Sequence, residues 1–330
     1  MESPDYNFPD ANKILQAADR IKQHVNKTPV LTSRSINAVF HCDLYFKCEN
    51  FQKVGAFKAR GATNAIFSLE NSSLVNGVAT HSSGNHAQAL SWAASLRKAK
   101  AFIVMPSNSS KVKVEAVKNY SGTITFCKPT LEAREATLAK VIAETGAIEI
   151  HPYNDLRIIA GQATAAKELF EEIPALDILM APVGGGGLLS GTALSARYFS
   201  PKTKVIAAEP EQANDAFLSF TQKKFFPSVN PNTIADGLRT SLGTLTYPII
   251  LDNVHQIVTV SEKSIVMAMR FIWERMKILI EPSAAVPFAA IMDNKISVSK
   301  RKVGIILSGG NVDLDNLPWI VTKRSEGMRG

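Results

Sequence analysis

Between residues 77 and 150 the chain alternates between short apolar runs and longer stretches in which apolar and polar residues recur at helical spacing. The runs at 78–81, 101–105, 123–127 and 147–150 read as strands. Continuous apolar stretches of this length, separated by helical segments, are the pattern of a parallel sheet covered on both faces. A second alternation opens with a helix over 161–172 and continues with strands at 176–181, 205–208, 256–260 and 303–307. A further apolar run at 44–48 leads into a helix that starts near Lys58. The pattern predicts an α/β chain with two open parallel-sheet lobes, the second larger than the first.

Polar motifs fall just beyond the carboxyl ends of these runs. Ser82, Ser83, Gly84, Asn85 and His86 follow one strand, and Gly184, Gly185, Gly186 and Gly187 follow another. Glu209 follows a third, and Ser308, Gly309, Gly310 and Asn311 follow the last. Open parallel sheets bind ligands beyond the carboxyl ends of their strands, so the four motifs are expected to converge on one cleft between the lobes.

Two of these features suggest chemistry. Four glycines between an apolar strand and a helix leave backbone N–H groups open to an anion, which the helix N-terminus also attracts. No Lys-Ser or Lys-Thr pair follows, so this is not a nucleoside-triphosphate P-loop. Lys58 stands at a strand-to-helix junction among small residues and Phe57. Desolvation there lowers an amine's pKa and makes it nucleophilic toward a carbonyl.

Composition narrows the setting. A chain of 330 residues with 45% apolar content buries one large core or two moderate ones. No stretch approaches the ~18 apolar residues of a membrane span, and the polar start with Pro4 and Pro9 is unlike a secretory signal. A cytoplasmic location is expected. The three cysteines, Cys42, Cys48 and Cys127, form no CxxC pair and are read as reduced thiols. The net charge of +8 is scattered and lacks an aromatic-rich basic motif, so nucleic acid is not an expected partner.

With these motifs in hand, the sequence resembles the serine racemase and serine/threonine dehydratase family of fold type II pyridoxal-phosphate (PLP) enzymes, over residues 8–320. The resemblance implies a tryptophan synthase β-like fold with a large domain of residues 1–75 and 155–330, a small domain of 76–154, and a homodimer. It implies that Lys58 forms the imine with the cofactor aldehyde and that Phe57 lines the cofactor. Asn85 would meet the pyridoxal hydroxyl, the four glycines and Leu188 would hold the phosphate, and Ser308 would face the pyridine nitrogen. Ser82, Ser83, Gly84, His86, Arg134 and Thr240 fall at positions that contact substrate.

Racemisation requires acid–base groups on both faces of Cα. Lys58 would be one and Ser83 the other, whereas biosynthetic-type bacterial threonine dehydratases carry alanine at that position. The serine favours racemisation of serine and leaves room for dehydration of serine or threonine. Glu209, Ala213 and Asp215 match the family's divalent-cation site, for Mg²⁺, Ca²⁺ or Mn²⁺. Lys53, Gln88, Tyr120, Lys277 and Asn311 match its ATP site, although Arg34 and Val54 replace small hydroxyl residues there. Tyr153 replaces an asparagine at the lobe boundary. The chain stops shortly after Trp319, so no carboxyl-terminal regulatory domain is expected. The rival readings are a dehydratase specific for L-threonine or L-threo-3-hydroxyaspartate and a non-catalytic phosphate- or nucleotide-binding protein.

Overall fold

The computed structural model describes residues 7–82, 84–109 and 111–319. Ser83 lies outside the described residues. Among the described residues ten strands form two sheets: β1 Val30–Leu31, β2 Asp43–Cys48, β3 Val78–His81, β4 Ala101–Pro106, β5 Gly122–Cys127, β6 Ile148–Glu149, β7 Ile178–Pro182, β8 Lys204–Pro210, β9 Gln256–Val260 and β10 Lys302–Leu307. The smaller sheet runs β5-β4-β3-β6, parallel throughout. The larger runs β1-β2-β10-β7-β8-β9 and is parallel except for the antiparallel edge strand β1. That two-residue strand departs from the all-parallel expectation, because two residues carry no periodicity that a sequence reading can detect.

The inner strands are covered on both faces. All residues of β3 and β7 are buried, and β10 is buried from Val303 onward. One core cluster places Phe46, Met180, Val303 and Ile305 against Phe288 and Ile280, while the opposite face packs Leu179 and Ile306 against Leu169 and Leu189. A third joins Ala62 and Ile66 to Leu90 and Ile103, so the helix that starts at Lys58 packs against the helices of both lobes.

Small residues bring three helices together backbone to backbone. A Cβ on Gly161, in the helix Leu156–Glu172, would sit 2.6 Å from Gly61 Cα in the helix Lys58–Phe67. A Cβ on Gly191, in the helix Gly187–Phe199, would sit 2.6 Å from the Ala163 nitrogen. Larger residues at these crossings would separate the helices, and with them the amino ends that carry Lys58 and the glycine run.

A buried ionic cluster fixes the Lys58 helix further. Arg60, fully buried, donates to both Glu49 oxygens at 2.7 and 2.9 Å and to both Glu168 oxygens at 2.7 and 2.8 Å. Lys47 completes it by donating to Glu168 at 2.6 Å and to the Thr28 carbonyl at 2.7 Å. Paired and hydrogen-bonded in this way, the buried charges tie the helix to the end of β2 and to its neighbouring helix.

Candidate active site

The expected motifs do lie at the carboxyl ends of β3, β7, β8 and β10. The segment before Lys58 is laced to the turn after β10: Phe57 N donates to Ser308 O at 3.0 Å and Gly310 N to Gly55 O at 2.9 Å, with an isolated bridge between Ala56 and Gly309. Lys58 is thus placed beside buried Ser308. Lys58 is half-buried, and its Nζ lies 5.2 Å from the Phe57 ring centroid and donates to the Pro152 carbonyl at 2.8 Å. Burial pushes the amine down to about 8, against the opposing charge of Glu281. An appreciable fraction is therefore neutral near neutral pH, as a nucleophilic or basic lysine requires.

The glycine run behaves as a cradle. Gly186 adopts φ +88°, a left-handed conformation that L side chains rarely enter, and supplies no side chain to cap the helix Gly187–Phe199. The first-turn N–H groups of that helix, with Leu188 in its first turn, are available to an anion. A Cβ on Gly184 would meet Leu238 Cα at 2.8 Å, and one on Gly185 would meet the Tyr153 ring at 2.3 Å. The glycines are required by what surrounds the loop, and the open N–H groups at the helix start suit a phosphate.

Across the cleft, the Ser82 to His86 segment opens the helix Asn85–Leu96. Gly84 N donates to Ser82 Oγ at 3.3 Å, and buried His86 Nε2 approaches the Ile150 carbonyl at 3.2 Å. Burial, then Lys58, holds His86 well below its ordinary pKa, so it is a neutral donor. Burial similarly pushes His81 and His151 down to about 4, and their rings meet edge to face at 5.9 Å. Arg134 adds its charge beside His81 and Tyr153, and its Nε is buried without a hydrogen-bond partner among the described residues. Thr240 faces the Tyr153 hydroxyl.

Four contacts at the site were not foreseen from sequence. Asn85 Nδ2 donates to both oxygens of Glu281, at 2.9 and 3.1 Å, and Asn85 Oδ1 accepts from Asn311 Nδ2 at 2.9 Å. The Pro152 carbonyl receives Lys58. Lys113 and Asp236 form an ion pair between the helix Lys111–Asn119 and the large-sheet side of the cleft. Glu281 precedes Pro282 at the start of the helix Pro282–Met292, a boundary signal that marks the helix but not the partner of the carboxylate.

The expected cation ligands come close together. Both oxygens of buried Glu209 accept backbone N–H groups, from Ala216 at 3.0 Å and Phe217 at 2.8 Å. Asp215 is buried, and among the described residues neither of its oxygens closes a hydrogen bond, although Ser228 and the Leu242 amide stand nearby. Burial, then Asp215, raises Glu209 well above the ordinary carboxylate range, and burial pushes Asp215 up to about 6. Ala213 is buried in the short turn Glu211–Ala213 between them. Of the expected nucleotide residues, Asn311 donates to Val54 O at 2.8 Å beside the Lys53–Gly55 turn. Gln88 is buried in the helix that Asn85 begins. Tyr120 follows the helix Lys111–Asn119, and Lys277 caps the helix Glu262–Met276 with its Nζ on Glu274 O at 2.6 Å.

A half-buried lysine of lowered pKa and a glycine run at a helix start, each beyond the carboxyl end of a strand in a two-sheet fold, define the class. Residues 21–309 match the family "Pyridoxal-phosphate dependent enzyme", and the chain belongs to it. It is 50% identical over 312 residues to the beta-hydroxyaspartate dehydratase of Paracoccus denitrificans (strain Pd 1222), covering 94% of this chain and 99% of that one. It is also 50% identical to the serine racemase of Dictyostelium discoideum over 313 residues, 93% of this chain and 96% of that one. The solved structure of maize serine racemase superposes with a TM-score of 0.91 at 45% identity, covering 93% of this chain and 94% of that one.

Proposed function

We propose that this enzyme interconverts L- and D-serine and also eliminates water from serine and L-threonine, giving pyruvate or 2-oxobutanoate with ammonia. The observation that carries the reading is the Lys58 amine, pushed down to about 8 and aimed by the Pro152 carbonyl beside the glycine cradle. Lys58 would bond the cofactor, Phe57 would lie against it, the first-turn N–H groups after Gly184, Gly185 and Gly186 would take its phosphate, and Asn85 and Ser308 would meet its ring. When bound, pyridoxal phosphate supplies an electron sink for charge that develops at the substrate's Cα.

The remaining work falls to side chains. The Ser82 to His86 turn offers the substrate carboxylate a hydroxyl and helix N-terminal N–H groups. The Lys58 amine takes the Cα proton on one face. Ser83 is assigned the proton on the other face, and loss of the β-hydroxyl instead gives the enamine that hydrolyses to the oxo acid. Ser308 would meet the ring nitrogen of the bound cofactor, and its hydroxyl would not balance a full positive charge there as a carboxylate would, which would favour elimination.

A second reading, elimination from L-threo-3-hydroxyaspartate, is favoured by half-buried Arg134, whose buried Nε has no partner among the described residues and suits a second carboxylate. The relative from Paracoccus denitrificans supports it too. Further parts of the proposal are a homodimer, a cytoplasmic location, ATP as an activator near Lys53, Gln88 and Asn311, and Mg²⁺ or a similar cation on Glu209, Ala213 and Asp215. Two buried carboxyls, each raised by burial and Glu209 further by Asp215, support the cation, with no donor closing on the Asp215 oxygens among the described residues.

The test is to incubate the PLP-loaded enzyme with L-serine, L-threonine and L-threo-3-hydroxyaspartate in turn, measuring D-serine by chiral chromatography alongside the 2-oxo acid. D-serine with pyruvate is expected. Oxo acid from hydroxyaspartate without D-serine would establish the second reading, and no product from any of the three would refute both.

A further inference from the structure

We infer that His151 positions the Lys58 amine by using its bare Nδ1 to hold the turn whose carbonyl that amine meets. This rests on the assignment of Lys58 as the lysine that bonds the cofactor. Residues 151–154 cross from the end of β6 to the helix Leu156–Glu172, and each is held by specific contacts. His151 Nδ1 accepts from Tyr153 N at 3.3 Å and from Asn154 N at 2.9 Å. Pro152 has no N–H, so the two N–H groups that follow it converge on one imidazole nitrogen. That convergence fixes the peptide whose carbonyl receives Lys58 Nζ at 2.8 Å.

The far end of the turn is clamped independently. The Tyr153 ring lies against Gly185 and its Cβ and backbone against Gly187, while Asn154 accepts from Leu245 N at 2.8 Å and donates to Thr244 Oγ1 at 3.0 Å. An acceptor Nδ1 requires the proton on Nε2 and a neutral ring. The surroundings enforce that state: burial, then His81, then Lys58, oppose protonation more than Asp155 favours it. A fixed carbonyl matters to a lysine that must act as a base, because donating one N–H to it leaves the lone pair within a narrow cone.

Packing is the competing account, since the His151 ring also meets Tyr153 at 4.6 Å and His81 at 5.9 Å. Two variants separate the accounts. His151→Phe keeps a ring and loses the acceptor; His151→Asn loses the ring and keeps an oxygen able to accept from the second and third following N–H groups, as in an Asx turn. The readouts are the Kd for pyridoxal phosphate and the rate at which the visible absorbance band forms on adding it to apoenzyme, with Tm as a control for folding. We expect His151→Phe to weaken binding and slow band formation about tenfold, and His151→Asn to stay within about threefold of wild type.

Equal values for Phe and wild type, or Asn impaired as severely as Phe, would overturn the inference. If the Phe variant does not fold, the Asn variant decides alone: retained Kd supports the inference, and a tenfold loss overturns it. Lys58→Ala is the companion control. A wild-type band that persists in Lys58→Ala would refute the lysine assignment, and the inference with it; a band lost in Lys58→Ala but unchanged in His151→Phe would refute the inference alone.

Discussion

Asn85 and Glu281, 196 positions apart, are joined so that the Asn85 amide nitrogen faces both carboxylate oxygens, at 2.9 and 3.1 Å. Asn311 holds the other end of the amide at 2.9 Å. The orientation of Asn85 is therefore determined from both sides, with a carboxylate on the donor and an amide N–H on the acceptor. Burial, then Asp236, pushes the Glu281 carboxyl up to about 7, partly offset by Asn85 and Lys113.

Removing Glu281 leaves a buried amide donor without its partner. Glu281→Ala is expected to weaken pyridoxal phosphate binding about tenfold, and Glu281→Gln, which retains an acceptor oxygen, by less. The sign with pH is opposite to that of a salt-bridged carboxylate. A raised carboxyl binds its proton more tightly when folded, so its charge costs nothing below the ordinary value of 4.5 and most above 7. Glu281→Gln should therefore gain stability relative to wild type between pH 5 and pH 8, by at most about 3 kcal/mol. Melting curves of both proteins across that range check the sign.

The glycine cradle yields a pair of substitutions that should not add. Gly185→Ala drives a Cβ to 2.3 Å from the Tyr153 ring and is expected to cost about 1–3 kcal/mol along with phosphate binding. Combining it with Tyr153→Ala removes the obstructing ring and should restore stability in part. Gly184→Ala meets Leu238 backbone at 2.8 Å, which Tyr153→Ala cannot relieve. A double-mutant cycle by denaturant unfolding distinguishes the two positions.

Arg60 holds two carboxylates, and Glu49 is as fully buried as Arg60 itself. Arg60→Met is expected to destabilise the protein by about 3–5 kcal/mol, because the carboxylates lose their compensation. Adding Glu49→Gln and Glu168→Gln should recover much of the loss. Urea midpoints for the single and triple variants provide the measurement.

Cation binding on Glu209 and Asp215 should compete with protons. Both carboxyls are raised, Asp215 to about 6, so Mg²⁺ affinity is expected to fall as pH drops through that value, by about tenfold per pH unit for each proton displaced. Asp215→Asn should abolish the response of Tm to chelator. An unchanged Tm in wild-type protein treated with chelator would remove the cation from the proposal.

The strands and the four polar motifs could be read from sequence because each is encoded locally: apolar runs mark β3, β7 and β10, and the glycine run lies between a strand and a helix. Lateral order could not. Nothing near residues 302–307 says that they pair with both β2 and β7. The partners of Asn85 and Lys58 were equally hidden, since Glu281 and Pro152 lie 196 and 94 positions away from them, beyond any local pattern. Tyr153 stood out as an unusual residue at the lobe boundary, yet its fit against Gly185 exists only once the lobes are assembled.

The position of β10 orders the assembly of the molecule in time. The four strands of the smaller sheet are contiguous in the chain, within residues 78–149, and can pair while the rest is still being synthesised. The larger sheet cannot be completed: its β1-β2 and β7-β8-β9 parts are joined only by β10, when residues 302–307 leave the ribosome. Until then the apolar faces of β2 and β7 are without their central strand, and the Phe57 amide lacks the Ser308 carbonyl that fixes the start of the Lys58 helix. A ribosome-bound chain stopped before residue 302 thus carries both the lysine and the glycine run, but not the strand that brings them to one cleft.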